Sequence, residues 1–245
     1  MASLPCANNM YAVLFDIDGT LLQSGGAGHL AFAETFREIF QLAEIPSSIS
    51  FAGRSDRAIA HEIMQRSGIG PSLSNWQNFY SDYCQRLEQV LAACDGELLP
   101  GVVELLDTLE SDQHTALGLL TGNTSFGAQA KTAAYGLAGR FAFGGYGDER
   151  TDRDLIAADA LQAAKRWITR SGNGEALCGA MVIGDTPADV RCGRSIDAFV
   201  VAVATGGSAV DELAKCEPDL LLEDLTDVDA LLAEVAAAVA ASQRA

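Results

Sequence analysis

Two short apolar runs in the sequence each lead directly into a pair of acidic residues. Residues 11–15 precede the sequence DIDGT at 16–20, and residues 180–183 precede GDTPAD at 184–189. Short apolar runs that end at a turn-forming glycine are typical of fully buried strands. Ligands of open α/β sheets bind at the carboxyl ends of such strands, and charges are costly to bury without partners. We therefore predict that the acids of both motifs meet at a functional site: Asp16, Asp18, Asp185 and Asp189.

Carboxylates gathered at two strand ends predict a metal site. They repel one another unless a cation lies among them. Oxygen ligands of this kind suit Mg²⁺, which keeps several waters and is usually completed by a substrate phosphate. For Asp185 and Asp189 the alternative is N-capping of the helix predicted at 187–196, in which Pro187 suits the first turn.

A third apolar run, 115–120, ends in Thr121, Gly122 and Asn123 before another predicted helix, 124–136. A hydroxyl, a glycine and free backbone N–H groups at a helix start can hold a phosphate group. Threonine and asparagine also cap helices that bind nothing, so both interpretations stay open for this segment.

Taken in order, these motifs resemble those of haloacid dehalogenase superfamily phosphatases, and most of all the phosphoglycolate phosphatase-like branch. That family is marked by DxDGT, a strand-end Ser or Thr, a Lys or Arg, and an acidic GDxxxD motif. The sequence matches at 16–20, Thr121 and 184–189, and the resemblance covers nearly the whole chain. It implies an α/β fold, with a Rossmann-like parallel sheet as core and an inserted small all-helical cap domain.

The resemblance also implies a role for each acid. Asp16 is expected to attack phosphorus and form an aspartyl-phosphate, and Asp18 to act as general acid and then general base. Mg²⁺ is expected to be held by Asp16, the backbone carbonyl of Asp18 and Asp185, while Asp189 orients a metal-bound water. The residues expected to donate to the phosphate or bind the substrate are Thr121, Gly19, Thr20, Gly122 and Asn123.

The cation of the family pattern is the one motif that departs from the commoner form. Many relatives carry Lys-Pro ahead of the helix before the last acidic strand, whereas residues 147–154 contain no lysine. We predict that Arg153 serves the phosphate, with Arg150 and Lys131 as alternatives, because a guanidinium can grip phosphate oxygens in a fork. For each of the three, an ordinary surface salt bridge is the competing interpretation.

The order of predicted elements divides the chain into two parts. From residue 100 onwards strands alternate with helices, which is typical of a parallel sheet with right-handed crossovers. Residues 23–96 begin with a glycine-rich stretch and are mostly helical. We predict a catalytic core over 1–22 and 97–245, and a helical cap domain over 23–96 that closes over the site. The strands predicted in the second part lie near 115–120, 180–184 and 198–203.

Within the predicted cap, Arg54 lies in a loop that precedes a helix. Its guanidinium could bind a substrate carboxylate bidentately, and surface exposure is the alternative. Ser55 and Asp56 both suit the N-cap of that helix.

Composition limits the partners of this chain. Its 245 residues are 49% apolar, and 16 basic against 33 acidic residues give a net charge of −17. Such a charge argues against nucleic acid or an anionic membrane as a partner. Six scattered cysteines, no signal sequence at residues 1–10 and no run long enough to span a bilayer predict a cytoplasmic protein. We expect a monomer or a homodimer.

We thus expect a Mg²⁺-dependent phosphatase of a small phosphorylated metabolite, with phosphoglycolate first and phosphorylated sugars next. One alternative is a phosphosugar mutase of the β-phosphoglucomutase type. The other is a regulatory phospho-acceptor that holds aspartyl-phosphate without turnover.

Overall fold

A sheet of six parallel strands forms the centre of the computed structural model, which describes residues 9–170 and 176–242. The described residues form eight strands in all: β1 (Asn9–Phe15), β2 (Leu22–Gln23), β3 (Glu97–Leu98), β4 (Thr115–Leu120), β5 (Phe143–Gly145), β6 (Ala176–Gly184), β7 (Phe199–Val203) and β8 (Leu220–Leu222). Their order in the sheet is β5-β4-β1-β6-β7-β8, and β2 and β3 form a separate antiparallel pair. The predicted α/β fold with a parallel sheet is confirmed.

Helices connect the strands and cover both faces of the sheet. They are α1 (Ala27–Phe40), α2 (Asp56–Arg66), α3 (Leu73–Leu91), α4 (Val102–Ser111), α5 (Ser125–Ala134), α6 (Arg153–Arg170), α7 (Pro187–Ser195), α8 (Val210–Ala214) and α9 (Asp229–Ser242). Side chains of a strand alternate between its two faces. Accordingly, Val13 of β1 packs in one apolar cluster with Val235 of α9, and Leu14 packs in another with Ile156 of α6.

The register of β1 aligns the ends of the three central strands. Phe15 pairs with Leu119 of β4 on one side and with Ile183 of β6 on the other. The polar residues that follow these strands therefore reach the same edge of the sheet.

The helices α1, α2 and α3 pack around an apolar cluster of their own. The ring of Phe32 lies 4.9 Å from those of Phe79 and Tyr83, measured between centroids. The buried aromatic residues Trp76, Phe79 and Tyr83 of α3 therefore form a packing surface. The pair β2–β3 joins this cluster to the sheet, and the domain limits at 22/23 and 96/97 remain a prediction.

The C-terminal helix α9 covers one face of the sheet. The apolar spacing predicts helical positions from Leu225 onwards, but the helix begins at Asp229 and buries Leu231, Val235 and Val239. Among the residues that the structure describes, no helix is long and apolar enough to cross a membrane. Five cysteines carry free thiols there, and Cys6 lies outside the described residues.

Candidate active site

The predicted site residues converge on one cavity at the carboxyl edge of the sheet. Its volume is about 320 Å³. The predicted residues that line it are Asp16, Asp18, Gly19, Arg54, Thr121, Gly122, Asn123, Lys131, Arg153 and Asp185. Thr20 and Asp189 are buried beside it, and the Thr20 hydroxyl donates to Asp185 Oδ1 at 3.3 Å.

Three of the predicted acids form a compact carboxylate cluster. One oxygen each from Asp16, Asp185 and Asp189 lies within 4.8 Å of the others, and all three residues are buried. Burial, and then the charges of Asp189 and Asp16, raise the pKa of Asp185 to about 8. Burial likewise raises the pKa of Asp16 to about 6, although Arg153 opposes this shift. Crowded oxygen donors with an uncompensated charge fit a hard divalent cation.

Asp189 has two structural partners in addition to its place in this cluster. Thr186 is the N-cap of α7, and its backbone N–H and hydroxyl donate to Asp189 Oδ2 at 3.0 and 2.6 Å. The other oxygen, Oδ1, accepts from the Arg153 guanidinium. The N-capping alternative therefore describes Asp189, which completes a capping box, whereas Asp185 caps no helix.

The structure separates the predicted cations. Arg153, the first residue of α6, is 4% exposed, and its Nη2 lies 3.5 Å from Asp16 Oδ2. Arg150 instead forms an exposed ion pair with Asp159 and does not line the cavity. Of these two arginines, only Arg153 lies where it can act on a group bound at Asp16.

Asp18 lies outside the carboxylate cluster and has its own partners. Its Oδ2 accepts from Lys131 Nζ at 2.5 Å and from Asn123 Nδ2 at 2.8 Å. The Ser24 hydroxyl donates to its Oδ1 at 3.4 Å. Desolvation in the cavity favours the protonated carboxyl, but the charge and hydrogen bonds of Lys131 and Asn123 outweigh it and lower the pKa of Asp18.

Arg54 lines the cavity, but its guanidinium is engaged by other protein groups. Its Nη1 donates to Glu62 Oε2 at 2.5 Å and to the backbone carbonyl of Ser50 at 3.1 Å. The predicted contact with a substrate carboxylate therefore requires Arg54 to leave Glu62, and it stays a prediction.

The loop around Arg54 contacts the strand-end residues after β4 directly. The Asp56 backbone N–H donates to the Gly122 carbonyl at 2.7 Å, and Asp56 Oδ2 accepts from the Thr124 N–H at 2.8 Å. A Cβ on Gly122 would collide with the Arg54 carbonyl. Burial raises the pKa of Asp56 to about 6. Ser55 is the N-cap of α2, whereas Asp56 bonds to Thr124, the N-cap residue of α5.

Two residues beside the acids, Thr205 and Gly206, were not identified from the sequence. The Thr205 hydroxyl donates to the Gly19 carbonyl at 2.6 Å, and Gly206 lies so close to Asp185 that a side chain there would collide with it. Both follow β7, so the strand-end rule that identified Thr121 could have found them. The cavity is also lined by side chains from α1 to α3 and from the loop before α2, among them His29, Phe32, Phe51, Ile59 and Tyr83.

Comparison with known proteins agrees with this arrangement. A phosphoglycolate phosphatase of Synechococcus elongatus is 28% identical over 221 residues, which are 89% of this chain and 95% of the relative. The fold resembles a crystal structure of a predicted phosphoglycolate phosphatase from Haemophilus somnus (TM-score 0.65, 17% identity, 92% of this chain and 98% of that one). It also resembles CbbY from Rhodobacter sphaeroides in complex with phosphate (TM-score 0.65, 18% identity, 89% and 96%).

A sequence model of one protein family spans both acidic motifs and the strand end between them. It describes haloacid dehalogenase-like hydrolases and matches residues 13–194, more than half of the 245-residue chain. The chain is therefore an enzyme that belongs to the haloacid dehalogenase-like hydrolase family.

Proposed function

We propose that this enzyme is a Mg²⁺-dependent phosphatase that hydrolyses a small phosphorylated metabolite through an aspartyl-phosphate on Asp16. One observation carries the proposal. The carboxylate cluster of Asp16, Asp185 and Asp189 and the separately held carboxylate of Asp18 line or adjoin one cavity at the carboxyl edge of the sheet.

The residues that would hold Mg²⁺ are Asp16, Asp185 and the backbone carbonyl of Asp18, with Asp189 beside them. The burial of this cluster supports the assignment, because the charge of Asp185 has no cationic side chain as an ion-pair partner among the described residues. When bound, the ion would supply positive charge that shields the nucleophile from the phosphate and stabilises the transferring oxygens.

In the first half of the reaction an Asp16 oxygen attacks phosphorus and the bond to the leaving oxygen breaks. Asp18, which is ionised in the free enzyme, takes up a proton when the negatively charged phosphoester binds. This proton moves to the leaving oxygen, which departs as an alcohol, and Asp18 becomes a carboxylate again. Arg153 lies against Asp16 and Asp189, where its charge favours the phosphoryl oxygens of the transition state. Thr121 and Gly122 line the cavity at the end of β4, where they would donate to the phosphoryl oxygens, and Asn123 holds Asp18 and Thr121 beside them.

In the second half a water molecule replaces Asp16 on phosphorus. The Asp18 carboxylate takes a proton from this water, and the Asp16 carboxylate is released together with inorganic phosphate. Closure of the helices α1 to α3 over the cavity would exclude other water from the acyl phosphate.

Phosphoglycolate is our first candidate substrate. A similar protein of Synechococcus elongatus is a phosphoglycolate phosphatase, and this similarity supports the choice. Arg54 would bind the glycolate carboxylate in place of Glu62, which now occupies its Nη1.

Release of inorganic phosphate tests the reaction. The enzyme is incubated with p-nitrophenyl phosphate and with a panel of phosphorylated metabolites, with Mg²⁺ or with a chelator. We expect steady-state phosphate release that needs Mg²⁺ and is lost in Asp16→Asn. A product isomer without free phosphate would favour the phosphosugar mutase. A single equivalent of bound phosphate without release would favour the phospho-acceptor.

The role of Arg54 is tested by ranking the panel by kcat/KM. Arg54→Ala should raise KM for phosphoglycolate more than for p-nitrophenyl phosphate, which lacks a carboxylate. Arg66→Ala is the matched control because Arg66 also pairs with Glu62, at 2.6 Å, but does not line the cavity. Equal effects of the two substitutions would contradict the assignment.

A further inference from the structure

Lys131 is a buried cation in the cavity to which the reaction described above gives no role. It lies on α5, is 3% exposed and lines the cavity. A lysine is almost never buried to this extent unless its ammonium is paired. Its partners are Asp18 Oδ2 at 2.5 Å and Asn123 Oδ1 at 2.7 Å. The ammonium is thus fixed against the carboxylate that serves as general acid.

The two oxygens of Asp18 have different environments. Oδ2 accepts two short hydrogen bonds, from Lys131 and from Asn123. Oδ1 accepts a single long one, from Ser24 at 3.4 Å, among the described residues. The side chain of Asp18 is 42% exposed, toward the cavity that it lines. In the free enzyme these two donors keep Asp18 ionised, and it takes up a proton when the negatively charged phosphoester is bound. An oxygen already bound by two donors is a poor place for that proton, so Oδ1 is the oxygen that can carry it.

We propose that Lys131 is a positioning residue for the general acid. Together with Asn123 it anchors Oδ2 of Asp18, so that Oδ1 presents the proton to the leaving oxygen. As the bond from phosphorus to that oxygen breaks, the proton moves from Oδ1 to the oxygen and completes an alcohol. Asp18 is left as a carboxylate, whose new negative charge lies against the Lys131 ammonium. The inference rests on the proposed phosphatase reaction.

The two buried cations of the cavity thereby serve different catalytic acids, Asp16 and Asp18. Arg153 lies against Asp16 and Asp189, and Lys131 lies against Asp18. Loss of Arg153 should weaken catalysis for every phosphoester, since it acts on the phosphoryl group. Loss of Lys131 should matter only where the leaving group needs a proton.

The test compares leaving groups in Lys131→Met. The measured quantity is kcat/KM, which covers the steps up to departure of the leaving group. We expect a loss of about 100-fold for the best alkyl phosphate of the panel, because alkoxides need general-acid help. For p-nitrophenyl phosphate, whose phenolate leaves without a proton, we expect less than about a fivefold loss. The inhibition constant of inorganic phosphate should stay unchanged.

Controls keep this outcome distinct from a folding defect or a wrong reaction. Lys165→Met removes an exposed lysine of α6 and should alter neither substrate. Asn123→Ala takes the place of Lys131→Met if the latter does not fold. It should likewise lower kcat/KM more for the alkyl phosphate than for p-nitrophenyl phosphate. Equal losses on both substrates, or no loss on either, would overturn the inference. If the wild-type enzyme still turns over its substrates in that case, the proposed function stands. Absence of wild-type turnover would overturn both.

Discussion

The Arg153 guanidinium and the Asp189 carboxylate form an ion pair that is closed off from solvent, with side chains 3% and 1% exposed. The same guanidinium lies 3.5 Å from Asp16. One guanidinium therefore compensates the negative charge of two buried carboxylates. Removal of one partner from a buried pair leaves an uncompensated charge, which is far more costly than removal of an exposed pair.

Arg153→Met should consequently destabilise the protein as well as inactivate it. We expect the free energy of unfolding to fall by about 3 kcal/mol, measured by urea denaturation. Arg150→Met is the matched control, since the Arg150–Asp159 pair is exposed, and it should leave the unfolding curve nearly unchanged. Similar unfolding curves for the two variants would show that the buried Arg153–Asp189 pair does not contribute to stability.

Asp56 should make stability depend on pH. Its pKa is raised to about 6 by burial, above that of the unfolded chain. Below about pH 4 the carboxyl is protonated in both states. Between about pH 4 and 6 only the folded state keeps the proton, so stability falls as pH rises. Above that range the free energy of unfolding is lower by the full cost of ionising the buried carboxyl, roughly 3 kcal/mol.

Asp56→Asn removes this titration and can still accept from the Thr124 N–H. Urea denaturation at several pH values should give a flatter profile than wild type, with the variant gaining stability relative to wild type between about pH 4 and 6. Asp211→Asn, an exposed acid on α8, should give a profile parallel to wild type. A parallel profile for Asp56→Asn would contradict the burial of a titrating group there.

Asp185 should link metal binding to stability. In metal-free protein above about pH 8, where Asp185 is ionised, Asp185→Asn removes one charge from a crowded acidic cluster and should raise the melting temperature. Mg²⁺ at about 100 times its Kd should stabilise wild type by about 2.7 kcal/mol and the variant much less. Thermal melts after chelator treatment, with and without added Mg²⁺, measure both effects. An unchanged Mg²⁺ shift in Asp185→Asn would remove this residue from the metal site.

Gly122 should hold the loop around Arg54 in place by having no side chain. A Cβ there would collide with the Arg54 carbonyl, so Gly122→Ala must displace the segment that contacts the cavity. We expect kcat/KM to fall at least about tenfold, since small displacements of positioning groups are costly. Gly70→Ala is the control because nothing lies within 4 Å of its added Cβ. Full activity in Gly122→Ala would show that this contact does not affect catalysis.

The sheet and its strand ends could be predicted from the sequence because their signals are local. An apolar run followed by Asp16, or by Gly184 and Asp185, marks a buried strand and its end within a few residues. The strand β5 contains two glycines and β8 is three leucines long, so neither carries such a signal. The pairing with β4 and β7 supplies what their own sequences lack.

The contacts within the site were harder to predict because they join distant parts of the chain. Lys131 and Asp18 are 113 residues apart, and their pairing needs α5 to lie against the end of β1. The sequence placed Lys131 only among three possible phosphate ligands. Similarly, Arg54 is paired with Glu62, eight residues along the chain and in the next helix, which no motif indicated.

The most direct test of the account is detection of a phosphoryl group on Asp16. Wild-type enzyme is mixed with ³²P-labelled substrate and Mg²⁺, quenched in acid on the millisecond scale, digested and mapped. We predict a transient, hydroxylamine-sensitive label on the peptide that contains Asp16, which disappears as phosphate is released and is absent from Asp16→Asn. Phosphate release without any covalent label, or turnover by Asp16→Asn close to that of wild type, would contradict it.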